Sequence, residues 1–414
     1  MSSTLGNQDG PIDGEAVYAF VQRSLDNVDL DGRSLCLVIP DATRTCPLRL
    51  LLGAVENAVI GRVRSCIAVV ALGTHAAMSD SAISVMVGKR KFPVVNHQWW
   101  SDSTFIPVGR LEASTVSRIT NGLLASGVDV RINHLVPESD VTLIIGPVLP
   151  HEVVGFSGGN KYLFPGLSNS ELIDITHWVG ALITSQNIIG QRGPTPVRAL
   201  IDAAAGLVPG FRLALCAVVD RHGSGLHSLS FGEPEESWAA AADIAAKTHV
   251  ENLARPVNRV LSIVPTRYSD LWTGAKGFYK VEPIVADGGE VVLYAPHITE
   301  VAAMHPGLVE LGYHCRDYFL ANWDRYRDHP WGELAHSTHL FGEGTYDAVS
   351  GERQRVRVTL ATGIPPEIVH RVNLHYADPA SIDEVSWSAD PDSLVLSNTG
   401  EVLYRLASES PLGS

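Results

Sequence analysis

The stretch SLCLVIPD, Ser34–Asp41, is a run of apolar and β-branched residues that predicts a buried β-strand. The segment LRLLLGAVENAVI, Leu48–Ile60, follows it with the apolar spacing of an amphipathic helix. A second strand, SCIAVVALGTH at Ser65–His75, comes next, and a helical segment begins at Ser79. Strands and helices that alternate in this way are typical of an α/β fold with a mostly parallel sheet.

The same alternation continues along the chain and predicts two α/β domains. Further strands are expected at Val141–Val148 and Phe211–Asp220, and amphipathic helices at Pro196–Val208 and Glu235–Val250. A second set of elements has strands at Val257–Thr266, Gly289–Pro296 and Arg355–Gly363, with a helical stretch through Lys276. The polar segment ENLARP predicts the boundary. We therefore expect an N-terminal domain at 1–254, with the alternative that 395–414 packs back on it, and a C-terminal domain at 255–394.

Composition excludes several classes of protein. The chain has 414 residues, which is long for a single hydrophobic core, and a formal net charge of −14, which argues against nucleic acid as a partner. No apolar run reaches membrane-spanning length, so no membrane association is expected. The five cysteines lack C-x-x-C spacing, which indicates reduced thiols in the cytoplasm and neither a disulfide framework nor a zinc site.

Polar residues follow three of the predicted strands, at the point where each strand ends. They are Asp41–Arg44 after the first strand, Gly73–His75 after the second and His151 after the third. In open α/β sheets, ligands bind outside the carboxyl ends of the strands. We expect these side chains to contribute to one active site in the cleft between the two domains, although any one of them taken alone is better explained as an ordinary loop residue.

The segment HEVVGFSGGNKYLFPG, His151–Gly166, admits three interpretations. GFSGG satisfies G-x-S-x-G, but a hydrolase nucleophile needs a strand running directly into the motif and a helix leaving it, and Pro150 and Pro165 break both. The glycines and Lys161 also suit an anion-binding loop, although no Walker motif is present. A glycine-rich turn beside a surface lysine explains the pattern equally well. The histidines at 151 and 177 have no metal-site spacing.

Five separated motifs, in this order, resemble the lactate racemase family of nickel-pincer nucleotide enzymes. They are DATR at Asp41–Arg44, ALGTH at Ala71–His75, HEVVGFSGGNK at His151–Lys161, the histidine at His177, and DLWTGAK at Asp270–Lys276. They span both predicted domains.

The resemblance implies a cofactor, the nickel complex of a pyridinium-3,5-bisthiocarboxylic acid mononucleotide. Lys161 would bond it covalently as a thioamide, and His177 would complete a roughly planar nickel site, a geometry that suits nickel. Ser157, Gly158 and Gly159 would contact the cofactor. The resemblance also implies dependence on cofactor-biosynthesis proteins.

The resemblance further implies racemisation or epimerisation of a 2-hydroxy acid. The Cα hydrogen would leave as hydride, giving a 2-keto acid, and return to the opposite face. His75 and His151 would act as general acid and base, since each enantiomer needs its own base. Arg44 and Lys276 would hold the substrate carboxylate, and Asp41 would support this site.

The substrate is expected to differ from lactate, because the lactate-specific members carry tyrosine and glutamine where this chain has Trp272 and Thr273. The second domain is also rich in polar side chains, including His297, His314, His336 and His339, and the segments LATGIPPE and VNLHYADP resemble the broader branch of the family. We expect a longer hydroxylated substrate, an aldonate-type sugar acid epimerised at C2. The alternative for the substrate is a simple 2-hydroxy acid such as lactate or malate, and the alternative for the four histidines is a domain interface or the surface.

Two other classes of function compete with this hypothesis. One is a serine hydrolase that uses Ser157. The other is a non-catalytic relative that binds a nucleotide or sugar acid, against which the joint presence of Arg44, His75, His151, Lys161 and His177 argues. The sequence leaves the oligomeric state open.

Overall fold

The protein is described by a computed structural model over residues 2–221 and 225–407. Its elements form two compact units. The first unit comprises the residues up to Leu149, Phe156–Thr176 and Arg192–Thr248, and the second comprises Pro150–Gly155, His177–Gln191 and the residues from His249 onward. Across the described ranges, no helix combines the length and apolar character needed to cross a membrane.

The first unit is built on a seven-stranded sheet. Four neighbouring pairs, from Phe211–Val219 to Val94–Asn96, are parallel, and the two pairs at the other edge are antiparallel. In spatial order the strands are Ser3–Gly6, Leu226–Gly232, Phe211–Val219, Val141–Pro147, Ser34–Ile39, Ser65–Val70 and Val94–Asn96.

The strand order reverses between Ser34–Ile39 and Val141–Pro147, which are adjacent and parallel. Every residue of the second of these strands is buried, as expected for a parallel strand covered on both faces. In a doubly wound sheet, the crevice beyond the carboxyl ends at such a reversal is the usual ligand site. The motif residues Asp41–Arg44 follow one of these two strands, so they lie at the edge of the sheet where a ligand is expected to bind.

Helices cover this sheet, and two further strands form a separate ribbon. The ribbon pairs Phe105–Leu111 with Val128–Asn133 in antiparallel register. The helices of this unit are Gly14–Asp26, Leu48–Val59, Asp80–Val87, Ala113–Ile119, Pro196–Ala205 and Pro234–Thr248, with 3₁₀ helices at Asp102–Thr104 and Gly159–Tyr162. The helix Ser170–Ile183 belongs to the first unit up to Thr176 and to the second from His177.

The second unit has a five-stranded parallel sheet. Its spatial order is His375–Ala377, Arg357–Thr362, Val285–Ala295, Val257–Ile263 and Ser393–Leu396. Two small ribbons pair Val250–Leu253 with Leu403–Leu406 and Gly344–Asp347 with Gly351–Gln354. Short two-residue strands lie at Pro150–His151 and Gly155–Phe156.

The helices of the second unit are mostly short. Its longest is Trp331–Phe341, in which ten residues are buried. The helices are Ser185–Ile188, Leu271–Gly274, Lys276–Tyr279, Leu308–Leu311, Arg316–Ala321, Trp323–Tyr326, Trp331–Phe341, Pro366–Arg371 and Glu384–Ala389, with 3₁₀ helices at Glu282–Ile284 and Pro379–Ser381.

The predicted α/β class is confirmed by these parallel sheets and their helices. The strands expected from the apolar runs form, although the run Ser65–His75 ends as a strand at Val70 because the glycine and polar residues beyond it turn the chain. The division at residues 254 and 255 and the cleft between domains stay predictions. Part of the predicted C-terminal segment, 408–414, lies outside the described residues.

Gly146 occupies a position in Val141–Pro147 where a side chain would collide with the tyrosine that follows Lys161. A Cβ built on Gly146 would lie 2.6 Å from the Tyr162 ring. We expect Gly146→Ala to destabilise the protein by about 1–3 kcal/mol through overpacking, measured as a lower urea midpoint. Gly193→Ala is the matched control, because a Cβ there meets nothing within 4 Å. Equal midpoints for the two variants would contradict the expected collision.

Candidate active-site residues

An aspartate and a histidine form a close pair at the strand ends of the first unit. Asp41 follows the strand Ser34–Ile39, and its Oδ2 lies 2.5 Å from Nδ1 of His75. The other carboxylate oxygen accepts hydrogen bonds from the backbone N–H and the hydroxyl of Thr43, at 3.1 and 2.6 Å. Trp99 Nε1 donates to the backbone carbonyl of His75 at 2.9 Å and fixes that loop. The pair therefore orients the imidazole with its Nε2 available for proton transfer.

The Asp41 carboxylate is ionised in this setting. Burial alone would raise its pKa, but His75, Thr43 and Arg44 together hold the pKa well below its usual range. Because the pKa is lower in the folded state than in the unfolded state, the carboxylate stabilises the fold above about pH 4, and this contribution is lost as the pH falls. An ionised Asp41 makes Nδ1 of His75 the hydrogen-bond donor.

Lys161 lies on a 3₁₀ turn whose backbone conformation requires glycine at positions 158 and 159. Gly158 and Gly159 have φ of 91° and 56°, in the left-handed region. A Cβ at Gly158 would lie 2.6 Å from the Val148 side chain, and one at Gly159 would lie 3.0 Å from Trp238. The Lys161 N–H donates to the Gly158 carbonyl at 3.2 Å and closes the turn. The glycine pair is therefore required by backbone geometry and close packing.

Two buried side chains bind the carbonyls that precede this turn. The Arg198 guanidinium donates to the carbonyls of Phe156 and Gly158, at 2.5 and 3.1 Å, and Trp238 Nε1 donates to the carbonyl of Ser157 at 2.9 Å. Arg198 also lies over the Trp238 ring, with Cζ 4.2 Å from its centroid. We call this arrangement the carbonyl clamp. Because three successive carbonyls are held on one side, the path of the chain into Lys161 is fixed.

Arg198 is 1% exposed, and its charge is balanced locally. Burial lowers its pKa to about 10, while Asp202, Cys216 and Glu235 act in the opposite direction. The carboxylates of Asp202 and Glu235 also accept hydrogen bonds from Nδ2 of Asn160, at 3.0 and 2.7 Å. This network connects the clamp to the residue beside Lys161.

The hydroxyl of Ser157 is engaged by backbone. It accepts from the Leu149 N–H at 3.0 Å and donates to the Pro147 carbonyl at 3.4 Å. A hydroxyl used in this way joins the loop to the strand end, whereas a nucleophile would be hydrogen-bonded to a general base. This geometry agrees with the expectation that Ser157 is not a hydrolase nucleophile. The cofactor contact assigned to Ser157 stays a prediction.

Tyr162 was not singled out by sequence, yet it joins the Lys161 turn to the strand ends. Its hydroxyl donates to the Pro147 carbonyl at 3.3 Å. Burial raises the pKa of Tyr162 well above its usual value, and the charges of Arg44 and Asp41 act on the same hydroxyl. Within the first unit, the structure thus brings together Asp41, Arg44, His75 and the Lys161 turn at the reversal of strand order.

In the second unit, His151 is buried and its tautomer is defined. Its Nδ1 accepts the backbone N–H of Val153 at 3.1 Å, so the proton of a neutral ring lies on Nε2. The adjacent Glu152 carboxylate lies 3.8 Å from Nζ of Lys280, which also donates to the Pro150 carbonyl. These contacts hold the short segment that carries His151.

His177 and Lys276 are anchored by their neighbours. Trp178, next to His177, stacks on Trp323 with centroids 5.5 Å apart. Lys276 is 5% exposed, and its Nζ lies 3.5 Å from the Thr273 carbonyl and 5.2 Å from the Tyr268 ring centroid. A cation held in such a buried position attracts a carboxylate more strongly than one in water.

Trp272 is enclosed between two imidazole rings. His305 stacks on one face with centroids 4.0 Å apart, and His336 stacks on the other at 4.1 Å. Nε2 of His336 also hydrogen-bonds the Trp272 carbonyl at 3.0 Å. Since both faces are covered, Trp272 offers a ligand its edge and no free face. His305 was missed by sequence reasoning, because its stacking partner lies 33 residues away in the chain.

The structure separates the four histidines predicted to supply polar contacts. His297 hydrogen-bonds the Tyr268 carbonyl at 3.1 Å, and His314 pairs with Glu352 at 2.6 Å, so both have structural partners. His336 and His339 are buried on the helix Trp331–Phe341. Of these four histidines, the second pair has buried ring nitrogens without a hydrogen-bond partner among the described residues.

Comparison with known proteins supports the resemblance seen in the motifs. Residues 18–190 match the family described as the lactate racemase N-terminal domain. A lactate racemase from Thermoanaerobacterium thermosaccharolyticum is 26% identical over 177 residues, which is 42% of this chain and 41% of that protein. The matched region therefore spans less than half of that relative's length.

Two solved structures extend the similarity over nearly the whole chain. A protein from Thermotoga maritima superimposes with a TM-score of 0.89 at 27% identity, covering 97% of this chain and 100% of that one. The lactate racemase apoprotein from Thermoanaerobacterium thermosaccharolyticum gives a TM-score of 0.71 at 18% identity, covering 94% and 93%, which shows the shared fold.

Residues 18–190 thus resemble the lactate racemase N-terminal domain, and the chain shares the α/β fold of the lactate racemase apoprotein. Together, the domain match, the lactate racemase relative and the shared fold confirm the predicted resemblance to the lactate racemase family.

The carbonyl clamp predicts a strong effect of Arg198 on the Lys161 turn. Arg198→Met removes both guanidinium hydrogen bonds and leaves the Gly158 carbonyl with the Lys161 N–H alone, and the loss of a buried hydrogen bond of this kind costs about 1–3 kcal/mol. We expect a lower urea midpoint and faster amide hydrogen exchange in residues 156–162. Arg212→Met is the control, because Arg212 donates to the single carbonyl of Val208 elsewhere in the unit. Unchanged exchange in residues 156–162 would show that the clamp does not hold the turn.

Proposed function

We propose that this chain is a nickel-pincer nucleotide-dependent racemase or epimerase of 2-hydroxy acids. The observation that carries the proposal is the 2.5 Å contact between Asp41 and His75 at the reversal of strand order, in the unit that also holds the Lys161 turn. An imidazole oriented by a buried carboxylate is suited to transfer a proton at neutral pH. The family assignment supports a racemase in general terms.

The residues present fit the donors that such a cofactor leaves to the protein. Within residues 2–221 and 225–407, no three His, Cys, Asp or Glu side chains cluster to hold a metal ion by themselves. If such a cofactor were bound, His177 would supply the imidazole that completes the nickel site and Lys161 would supply the amine that tethers it. When bound, the cofactor supplies a hydride acceptor. The clamped turn gives Lys161 a fixed position for the tether.

The remaining residues would bind substrate and transfer protons. The proton of the C2 hydroxyl goes to His75 for one enantiomer and to His151 for the other. His75 is oriented to accept a proton at Nε2, because its Nδ1 donates to Asp41, whereas a neutral His151 carries its proton on Nε2 and is oriented to return a proton to the ketone oxygen. Arg44 and Lys276 bind the carboxylate, which keeps the planar keto acid aligned between the two proton transfers.

A longer hydroxylated acid, epimerised at C2, is the substrate that we favour. The lactate-specific tyrosine and glutamine are replaced by Trp272 and Thr273, and the Thr273 hydroxyl donates to Asp270 at 2.6 Å. Thr273 thus has its hydroxyl engaged within its own helix. An aldonate-type acid also explains polar side chains in the second unit that a methyl group would not need.

Cofactor supply and location are part of the same proposal. The chain would depend on cofactor-biosynthesis proteins. It would work in the cytoplasm, where its cysteines (all five free in the structure) would stay reduced.

Lys161→Ala should abolish covalent cofactor attachment, since no other amine occupies the clamped turn. Intact-mass measurement on protein co-expressed with the cofactor pathway should show one added mononucleotide on the unaltered chain, with about one nickel per chain. The variant should show neither. Lys247→Ala, an exposed lysine in the same unit, is the control and should load fully. An unmodified mass for the unaltered chain, beside a loaded lactate racemase, would overturn the proposal.

His75→Ala and His151→Ala should each lower turnover at least about 100-fold in both directions, because one round trip uses both bases. Initial rates are measured from each stereoisomer, at equal cofactor loading checked by mass. His134→Ala is the control, since His134 pairs with Glu138 at the surface. If a variant has unchanged initial rates in both directions, the histidine that it replaces takes no part in the mechanism.

The fate of the Cα hydrogen separates this chemistry from proton abstraction. In D₂O, the product should retain its original hydrogen at Cα, because the hydride returns to the same carbon. Deuterium at Cα, seen by NMR, would argue for exchange with solvent through a carbanion and against the proposal.

A further inference from the structure

One helix of the second unit places two histidines on a single buried face. His336 and His339 lie three residues apart in Trp331–Phe341, a spacing that puts side chains on the same side of a helix. They are 7% and 3% exposed. The Tyr313 ring lies beside His336, with centroids 5.8 Å apart, and the Tyr279 ring lies 6.0 Å from His339.

Four polar atoms of this group have no hydrogen-bond partner among the described residues. They are Nδ1 of His336, both ring nitrogens of His339 and the hydroxyl of Tyr313. Buried polar groups are nearly always hydrogen-bonded, because an unmade bond in a protein interior costs free energy. Several unmet groups side by side indicate a place where a polar ligand completes the bonding.

The group is held rigidly. His336 stacks on Trp272, whose other face carries His305, and His305 Nδ1 lies 3.5 Å from Glu333. Glu333 accepts a second contact from His329 at 2.9 Å. Burial would raise the pKa of Glu333, but hydrogen bonds from both histidines lower it to about 2, so this anchor is ionised at neutral pH. The unpaired Nδ1 of His336 therefore has a fixed direction.

The protonation state defines the kind of ligand. Burial lowers the pKa of His336 to about 3 and that of His339 to about 4, so both rings are neutral at pH 7. His336 donates from Nε2 to the Trp272 carbonyl, which leaves Nδ1 as an acceptor, and a neutral His339 offers one donor and one acceptor. A second carboxylate, as in malate, would favour protonated rings. The hydroxyl groups of a substrate both donate and accept hydrogen bonds, so they match the donor and acceptor nitrogens of the two histidines.

We propose that Tyr313, His336 and His339 form a subsite that hydrogen-bonds the hydroxyl groups of the substrate chain beyond C2. This inference rests on the proposed function and adds the residues that select a polyhydroxylated acid. The subsite neither transfers a proton nor holds the C1 carboxylate, so its loss should affect long substrates and spare short ones.

The test compares two probes, gluconate and lactate, by calorimetry on cofactor-loaded protein. The unaltered chain should bind gluconate at least about tenfold more tightly than lactate. His339→Leu should reduce this ratio to about one, with lactate binding unchanged. His339→Gln, which keeps a donor and an acceptor, should restore part of the preference. His370→Leu, an exposed histidine of the same unit, is the control and should leave both affinities unchanged.

Thermal unfolding of the ligand-free protein separates a binding role from a structural one. Because His339 has unmet nitrogens, an apolar residue of similar size should leave the midpoint unchanged or raise it. A fall of more than about 4 °C, with an unchanged gluconate-to-lactate ratio, would show a structural histidine or one that only binds water, and would overturn the subsite.

The two proposals fail in different ways. If loaded protein epimerises 2-hydroxy acids but His339→Leu and His336→Leu leave the preference intact, the subsite is wrong and the proposed function stands. If Lys161 is never modified and neither acid binds, the proposed function fails and the subsite fails with it.

Discussion

The interaction on which the first unit depends is the buried guanidinium of Arg198. Placing a charge in the interior is costly unless it is paired and hydrogen-bonded, and here two carbonyls, two nearby carboxylates and the Trp238 ring offset much of that cost, while Nε of Arg198 has no hydrogen-bond partner among the described residues. In return, one side chain fixes the backbone from Phe156 to Gly158. The backbone N–H of Lys161 donates to the clamped Gly158 carbonyl, so the lysine gains a defined position. An ammonium could not replace the guanidinium, because only a planar fork reaches two carbonyls at once.

The sequence was sufficient for the frame of the molecule and for residues whose chemistry is local. Apolar runs such as Ser34–Ile39 form strands because parallel strands are buried on both faces, and polar residues such as Asp41 and His75 lie where those strands end. The carbonyl clamp could not be predicted, since Arg198 and the carbonyls it binds are 40 or more residues apart and arginine in an amphipathic helix normally faces solvent. No periodicity encodes such a contact.

In the second unit, by contrast with the hydrogen-bonded carbonyls of the clamp, some buried polar atoms have no hydrogen-bond partner among the described residues. Four histidines looked alike in the sequence, but His297 and His314 are bonded to a carbonyl and a carboxylate, whereas His336 and His339 are not. Spacing could not distinguish them, because the difference lies in which partners the fold brings near. Buried polar groups that lack hydrogen-bond partners in a well-packed interior commonly mark a functional site. Here three such atoms belong to two histidines on one helix face, next to a tryptophan already enclosed on both sides.

The carbonyl clamp also has a consequence for the order of events during synthesis. Lys161 leaves the ribosome well before Arg198 and Trp238, the two side chains that hold the carbonyls of its turn. A nascent chain that ends before residue 238 therefore has the lysine but lacks the fixed backbone around it. Any chemistry that requires this turn in its final shape must wait until the helix Pro234–Thr248 has been made and has packed. Under the proposed function, modification at Lys161 would therefore be a post-translational event on a folded unit, and truncated chains would escape it.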